Sequence, residues 1–181
     1  MVFVTTATSA AVALLGVALG GWLSTRNQDR SWKREHARQW RDIRLETYGD
    51  FASAYRELVA FAVDPTAKIT ADPHPQRAGE LMPRFDDEGR RYKERLDAAS
   101  VAVRLVSEST DTMKACAAVV QSVRRIAAAR AESQGVDIPV EAFQALWAAQ
   151  DAFLSTTRRE LGLSDVSWET VYPADESGAT V

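Results

Sequence analysis

The chain has 181 residues, with 22 Lys and Arg against 25 Asp and Glu, a net charge of -3, and a single cysteine, Cys116. A net acidic chain lacks the broad basic footprint of a nucleic-acid binder, and a lone cysteine excludes an internal disulfide and fits a reducing compartment. Only six Pro and nine Gly, with an alanine-rich hydrophobic content, favour helix over low-complexity structure.

Charge is unevenly distributed. From Val2 to Leu23 no side chain is ionisable; then come Arg26, Arg30, Lys33, Arg34, Arg38, Arg41 and Arg44. An uncharged run of this length can cross a bilayer as one helix, so residues 1–23 are predicted to form a transmembrane anchor. The basic flank predicts the amino terminus outside and the remainder cytoplasmic, in a single-pass protein of the cell membrane, with 24–44 a juxtamembrane helix. Trp22 falls where a headgroup-level aromatic is expected. The alternatives are a cleaved secretory signal, which would carry positive charge before the apolar run, and a buried soluble helix. Gly16 and Gly20 make a GxxxG pair that lets two membrane helices approach closely and self-associate.

After the anchor the spacing predicts four helices. The first runs from about Ser24 to Val63 with an apolar stripe of Trp32, Trp40, Ile43, Thr47, Phe51, Ala54, Leu58 and Phe61, and with Arg30, Arg34, Arg38 and Arg41 opposite. Residues 64–79 hold three Pro and no helical period, and read as a loop. The second helix is expected to start near Pro83 and to bury Phe85, Tyr92, Leu96, Ala99, Val103 and Val106. Ser109 or Thr110 then caps a third helix with Met113, Cys116, Val120, Val123 and Ala127 on its face, ending at Gly135. The fourth opens with Asp137 as cap and Pro139 in its first turn, carries a stripe of Val140, Phe143, Leu146, Trp147, Gln150, Leu154, Thr157 and Leu161, and ends at Gly162. Each helix has one apolar face to bury. The fold class expected is therefore all-α: a transmembrane helix continuing into the long helix of an antiparallel four-helix bundle over 45–162. Residues 163–181 form an acidic tail in which Trp168 and Tyr172 either fray with it or dock on the bundle.

The residues that carry chemistry are few. There is no Gly-rich phosphate loop and no GxSxG. His36 stands four residues from both Trp32 and Trp40, His74 lies in the Pro-rich loop, and neither has the partners of a metal site. Cys116 reads as a small buried hydrophobe. The acidic pairs Glu94/Asp97 and Glu108/Asp111, and the run Asp86 to Glu88, read as solvated charge. No catalytic, cofactor or metal residue is assigned. The functional candidate is the basic aromatic helix from Trp32 to Arg44. It reads as a stalk against anionic headgroups, as a face for a protein partner or a sister chain, or, against the net charge, as an Arg contact to nucleic acid. The contacts assigned to the bilayer interface or a partner are Trp22, Arg26, Arg30, Trp32, Arg34 and Trp40.

The passage GVALGGWLSTRNQDRSWKREHARQWRDIRLETYGDFASAYREL, with RLDAASVAVRLVSEST and AFLSTTRRELGL further on, resembles uncharacterised membrane-anchored proteins of high-GC actinobacteria. That resemblance covers most of the chain, implies an anchored helical bundle, and transfers no activity and no functional residue. The plan is also similar to the peripheral-stalk subunit of rotary ATP synthases, from which the short return helices depart. The function expected is a membrane-tethered cytoplasmic scaffold, adaptor or accessory subunit without cofactor, whose partners are the bilayer and a protein rather than nucleic acid. The alternative is a membrane-anchored sensor that binds a small ligand in the bundle.

Overall fold

A computed structural model describes Trp32 and residues 35–76, 79–133 and 138–164. The chain divides into two compact units, Met1–Asp42 and Ile43–Val181. The predicted anchor 1–23, with Gly16, Gly20 and Trp22, lies outside the described residues, as do Arg26, Arg30, Arg34, Asp137 and the tail from residue 165. Among the described residues no helix is long and apolar enough to cross a membrane.

The structure is mostly helical, as expected, with one addition. Residues 35–63 form α1. Then follow β1 (Ile69–Pro73), β2 (Leu81–Phe85), α2 (Asp87–Val106), α3 (Thr110–Glu132) and α4 (Val140–Glu160). The β-hairpin corrects the reading of 64–79 as a loop. Its strands pair antiparallel from Ile69 opposite Phe85 to Pro73 opposite Leu81. With only two strands both are edges, so Pro83 and Pro73 withhold their missing N–H at little cost. In β2 exposed Met82 and Arg84 alternate with the better-covered Leu81, Pro83 and Phe85, the period of a strand with one covered face.

The hairpin also moves the start of the second helix. Pro83 sits in β2 rather than in a helical first turn, and Asp86 is the N-cap, its carboxylate accepting the Gly89 N–H at 2.9 Å. The acidic run Asp86 to Glu88 is thus a helix start: one residue caps an orphan donor, and the next two lie against the positive end of the helix dipole. Ser109 caps α3 as predicted, accepting the Thr112 N–H at 3.2 Å. α3 ends at Glu132, short of Gly135. Pro139 immediately precedes α4 rather than occupying its first turn. Past α4, Gly162 takes φ 70° and the Leu163 N–H reaches the Arg158 carbonyl at 2.8 Å, the closure anticipated for that glycine.

The core joins all four helices. Phe51, Leu58, Leu96, Val103, Val119, Val123, Ile126 and Phe153 are its fully buried large members. α3 touches α2, α4 and both strands and buries side chains from Thr112 to Arg130. The predicted α1 stripe holds from Phe51 to Leu58, extended by Tyr48, Tyr55 and Ala62, but Trp32, Trp40 and Ile43 are exposed. The α4 stripe is rotated: Leu146, Ala149, Phe153 and Thr157 are buried, whereas Val140, Trp147 and Leu154 face solvent. Phe153 is set by α1, its ring 4.9 Å from Phe51 and 5.9 Å from Tyr48. At the other end of the core, Arg130 donates to the carbonyls of Asp64 (3.3 Å) and Pro65 (3.1 Å), so its buried charge meets the negative end of α1.

Candidate functional site

In the first unit the described side chains centre on Trp32, His36 and Trp40, each one helical turn from the next. The His36 ring stacks on Trp32 (centroids 5.2 Å, 6° between planes) and meets Trp40 edge-on at 6.2 Å. The Trp40 indole N–H donates to His36 Nε2 at 3.0 Å. His36 has the structural role expected of it: it fixes two indoles on one side of the helix. Trp32 is 68% exposed and Trp40 41%. Both belong to the apolar stripe expected of this helix, and both leave much of their ring surface open. Arg38 and Arg41 are exposed on the same helix, two and five residues beyond His36 and so turned away from the indoles.

In the second unit two sites deserve description. The first is a polar joint where α1, the α2–α3 connection and α4 meet. Glu160 puts its carboxylate there, only 6% exposed. It accepts the Glu108 N–H at 2.8 Å and the Ser107 hydroxyl at 2.9 Å, and the Arg44 Nε stands 3.9 Å away. The hydroxyls of Tyr48 and Thr112 are buried beside this carboxylate and steady its charge, yet neither reaches hydrogen-bond geometry. Burial alone would raise the Glu160 pKa; the Glu108 N–H and the hydroxyls of Thr112, Ser107 and Tyr48 outweigh it and hold the group below its ordinary range. Burial, reinforced by Glu160, pushes the Tyr48 phenol up to about 12. Arg44 is therefore not a free cation of the basic block: its guanidinium donates to the Val106 carbonyl at 2.9 Å and pairs with Glu108.

The second site is a groove of about 810 Å³ between the hairpin, α2 and α3. Its floor is apolar, with Leu58, Phe85, Leu96, Met113, Cys116 and Val120, and its rim carries Lys93, Arg104, Arg124 and Arg125. Asp97 crosses it, bound by Lys93 at 2.7 Å and Arg124 at 3.1 Å. The pair Glu94/Asp97 is thus no metal site, and no group of metal-ligating side chains occurs among the described residues. The Cys116 thiol is buried and pushed up to about 11 by that burial, with Arg104 opposing, as suits the inert hydrophobe anticipated from its neighbours.

No family model, curated protein or solved structure matches the chain. Of the residues assigned to an interface, the structure places Trp32 and Trp40 together around His36. Trp22, Arg26, Arg30 and Arg34 lie outside the described residues. Sequence reasoning missed both the Glu160 joint and the groove. The joint brings together side chains as distant in sequence as Arg44 and Glu160, and no local period encodes such a meeting. The groove depends on the hairpin, whose alternation in LMPRF was the one available signal.

Proposed function

We propose that the chain is a membrane-tethered helical adaptor whose body lies on the cytoplasmic side and which engages the bilayer interface and a protein partner through Trp32 and Trp40. The single observation that carries this reading is the exposure of two indoles, both held against His36, on a helix that turns Arg38 and Arg41 away from them. Large uncovered aromatics are costly in water and are enriched at headgroup-level and protein interfaces. The uncharged run from Val2 to Leu23 supplies the tether, and Gly16 and Gly20 supply a route to self-association. No metal or nucleotide chemistry enters this reading.

The experiment follows from its two parts. The full chain, expressed in a bacterial host, should stay with the membrane fraction after alkaline carbonate washing, and a carboxy-terminal tag should resist externally added protease. Replacing both Trp32 and Trp40 with Ala should leave the melting transition unchanged while reducing crosslinking to the partner. Recovery of the full chain in the soluble fraction, or external cleavage of the tag, would falsify the assignment. A second reading, ligand sensing by the helical body, is favoured by the groove beside α2 and α3, whose volume lies in the range of small-molecule sites.

A further inference from the structure

The groove's chemistry specifies what it would hold, and this inference rests on the ligand-sensing reading. Its two ends differ. Glu132, in the last turn of α3, lies at the end opposite Met113, which is in the first turn of α3. Toward Met113 the wall is formed by Ser100 and Arg104 of α2 facing Cys116 and Val120 of α3. Asp97, a lining carboxylate on α2, is already held by Lys93 and Arg124. Arg104 is exposed and, among the described residues, pairs with no carboxylate. An apolar floor beside a guanidinium with no carboxylate partner among the described residues, and with Asp97 already neutralised, complements a ligand with one apolar chain and one anionic head. A cation would meet Lys93, Arg104, Arg124 and Arg125 on the rim. A metal would find no ligand cluster.

We infer that the groove is a binding site for a single-chain fatty acid, with the carboxylate on Arg104 and the hydrocarbon along Met113, Cys116 and Val120. A planar guanidinium receives a carboxylate through two parallel N–H donors, a fit that a lysine ammonium lacks. The apolar surface that Met113 and Val120 still expose would be removed from water by the ligand's hydrocarbon. Bound lipid would also report to the adaptor, because α3 spans the core and touches α4 and both strands.

The test is photo-crosslinking on the full chain, embedded in lipid bilayer discs, with a twelve-carbon carboxylate carrying a diazirine at its far end. Its counterpart is a probe of the same chain with a trimethylammonium head. Peptide mapping should place the carboxylate probe's label on α3 between Met113 and Val120 or on the facing part of α2. Arg104→Ala should lower that label about tenfold or more, Arg104→Lys less so, and Arg90→Ala on the outer face of α2 should leave it unchanged. Because Arg104 is exposed, the Ala variant should melt within about 2 °C of the parent, so loss of label would not reflect loss of fold. Equal groove labelling by the cationic probe, or labelling that survives Arg104→Ala, overturns the fatty-acid assignment while leaving the groove a ligand site. Absence of groove labelling by either probe overturns both.

Discussion

The Glu160 carboxylate accepts the backbone N–H of Glu108 at 2.8 Å, which ties the last turn of α4 to the connection between α2 and α3. A buried carboxylate is tolerated only when its oxygens are supplied with donors. Ser107 and the Glu108 N–H do so directly, and Arg44 of α1 stands close by. Three separate helical segments therefore depend on one ionised side chain. Its position at the end of α4 would otherwise be unfavourable against the helix dipole.

Glu160→Gln should accordingly destabilise the fold by about 1–3 kcal/mol near neutral pH, since it weakens charge-assisted hydrogen bonds and strands a donor. The pH dependence has a definite sign. The folded-state pKa lies below the ordinary value of 4.5, so the stabilisation is fully present above that value and is lost as pH falls through and below it. Urea unfolding of the parent should show a decline in the acid range that the Gln variant largely lacks. Parallel acid limbs for the two proteins would contradict this account.

Tyr48 makes the opposite case. Its hydroxyl is buried without a hydrogen-bond partner, so removing it deletes an uncompensated polar group rather than a bond. Tyr48→Phe should be neutral or stabilising by up to about 1 kcal/mol at pH 7. Because burial raises the phenol from its ordinary 10.0 to about 12, ionisation favours the unfolded chain, and the parent's stability is unaffected below pH 10 and declines as pH rises from there toward 12. The Phe variant should show a flatter alkaline limb in the same denaturation series. A loss of more than 1 kcal/mol at neutral pH would instead mean that the hydroxyl is satisfied in solution.

Phe153 and Trp147 separate burial from hydrophobicity on one helix. Phe153 is fully buried against Phe51 and Tyr48, and Phe153→Ala should cost about 3–5 kcal/mol. Trp147 is 59% exposed, with Phe143 its one ring neighbour among the described residues, and Trp147→Ala should change stability by no more than about 0.5 kcal/mol. Chemical denaturation of the two variants decides the matter, and comparable losses would restore the stripe expected from spacing.

That contrast shows how far the sequence was legible. Helix existence and the cores of α2 and α3 followed from the spacing of Leu96, Val103, Cys116 and Val123, because a period of 3.6 is a local property. The rotation of α4 did not follow. The expected stripe joined Leu146 and Thr157, which are buried, to Trp147 and Leu154, which are not, and it left out Phe153, whose place is set by the Phe51 and Tyr48 rings of α1. The hairpin was obscured by its prolines, which a two-stranded sheet tolerates and a larger one would not. The partnership of Trp32 and Trp40 through His36 was readable from the intervals of four. Their exposure was not, because an apolar stripe looks the same whether or not something covers it.

A tight approach between α1 and α2 is set by a glycine. Gly89 lies in the first turn of α2 under the Phe61 ring of α1, and a Cβ built there would fall 2.4 Å from Phe61 Cε1, 2.7 Å from its Cζ and 3.0 Å from Phe85 Cβ. Helix propensity alone favours Gly89→Ala by up to about 1 kcal/mol. The ring cannot swing aside freely, since it stands 5.6 Å from Tyr92 and 6.3 Å from Phe85. Overpacking of this kind costs about 1–3 kcal/mol, so the steric term should prevail and leave a net loss of about 1–2 kcal/mol. A companion change, Phe61→Leu with Gly89→Ala, should recover part of that loss by opening the space, and the coupling between the two is measured by a double-mutant cycle. If Gly89→Ala alone proved stabilising, α1 and α2 would have to sit farther apart than Phe61 and Gly89 do here.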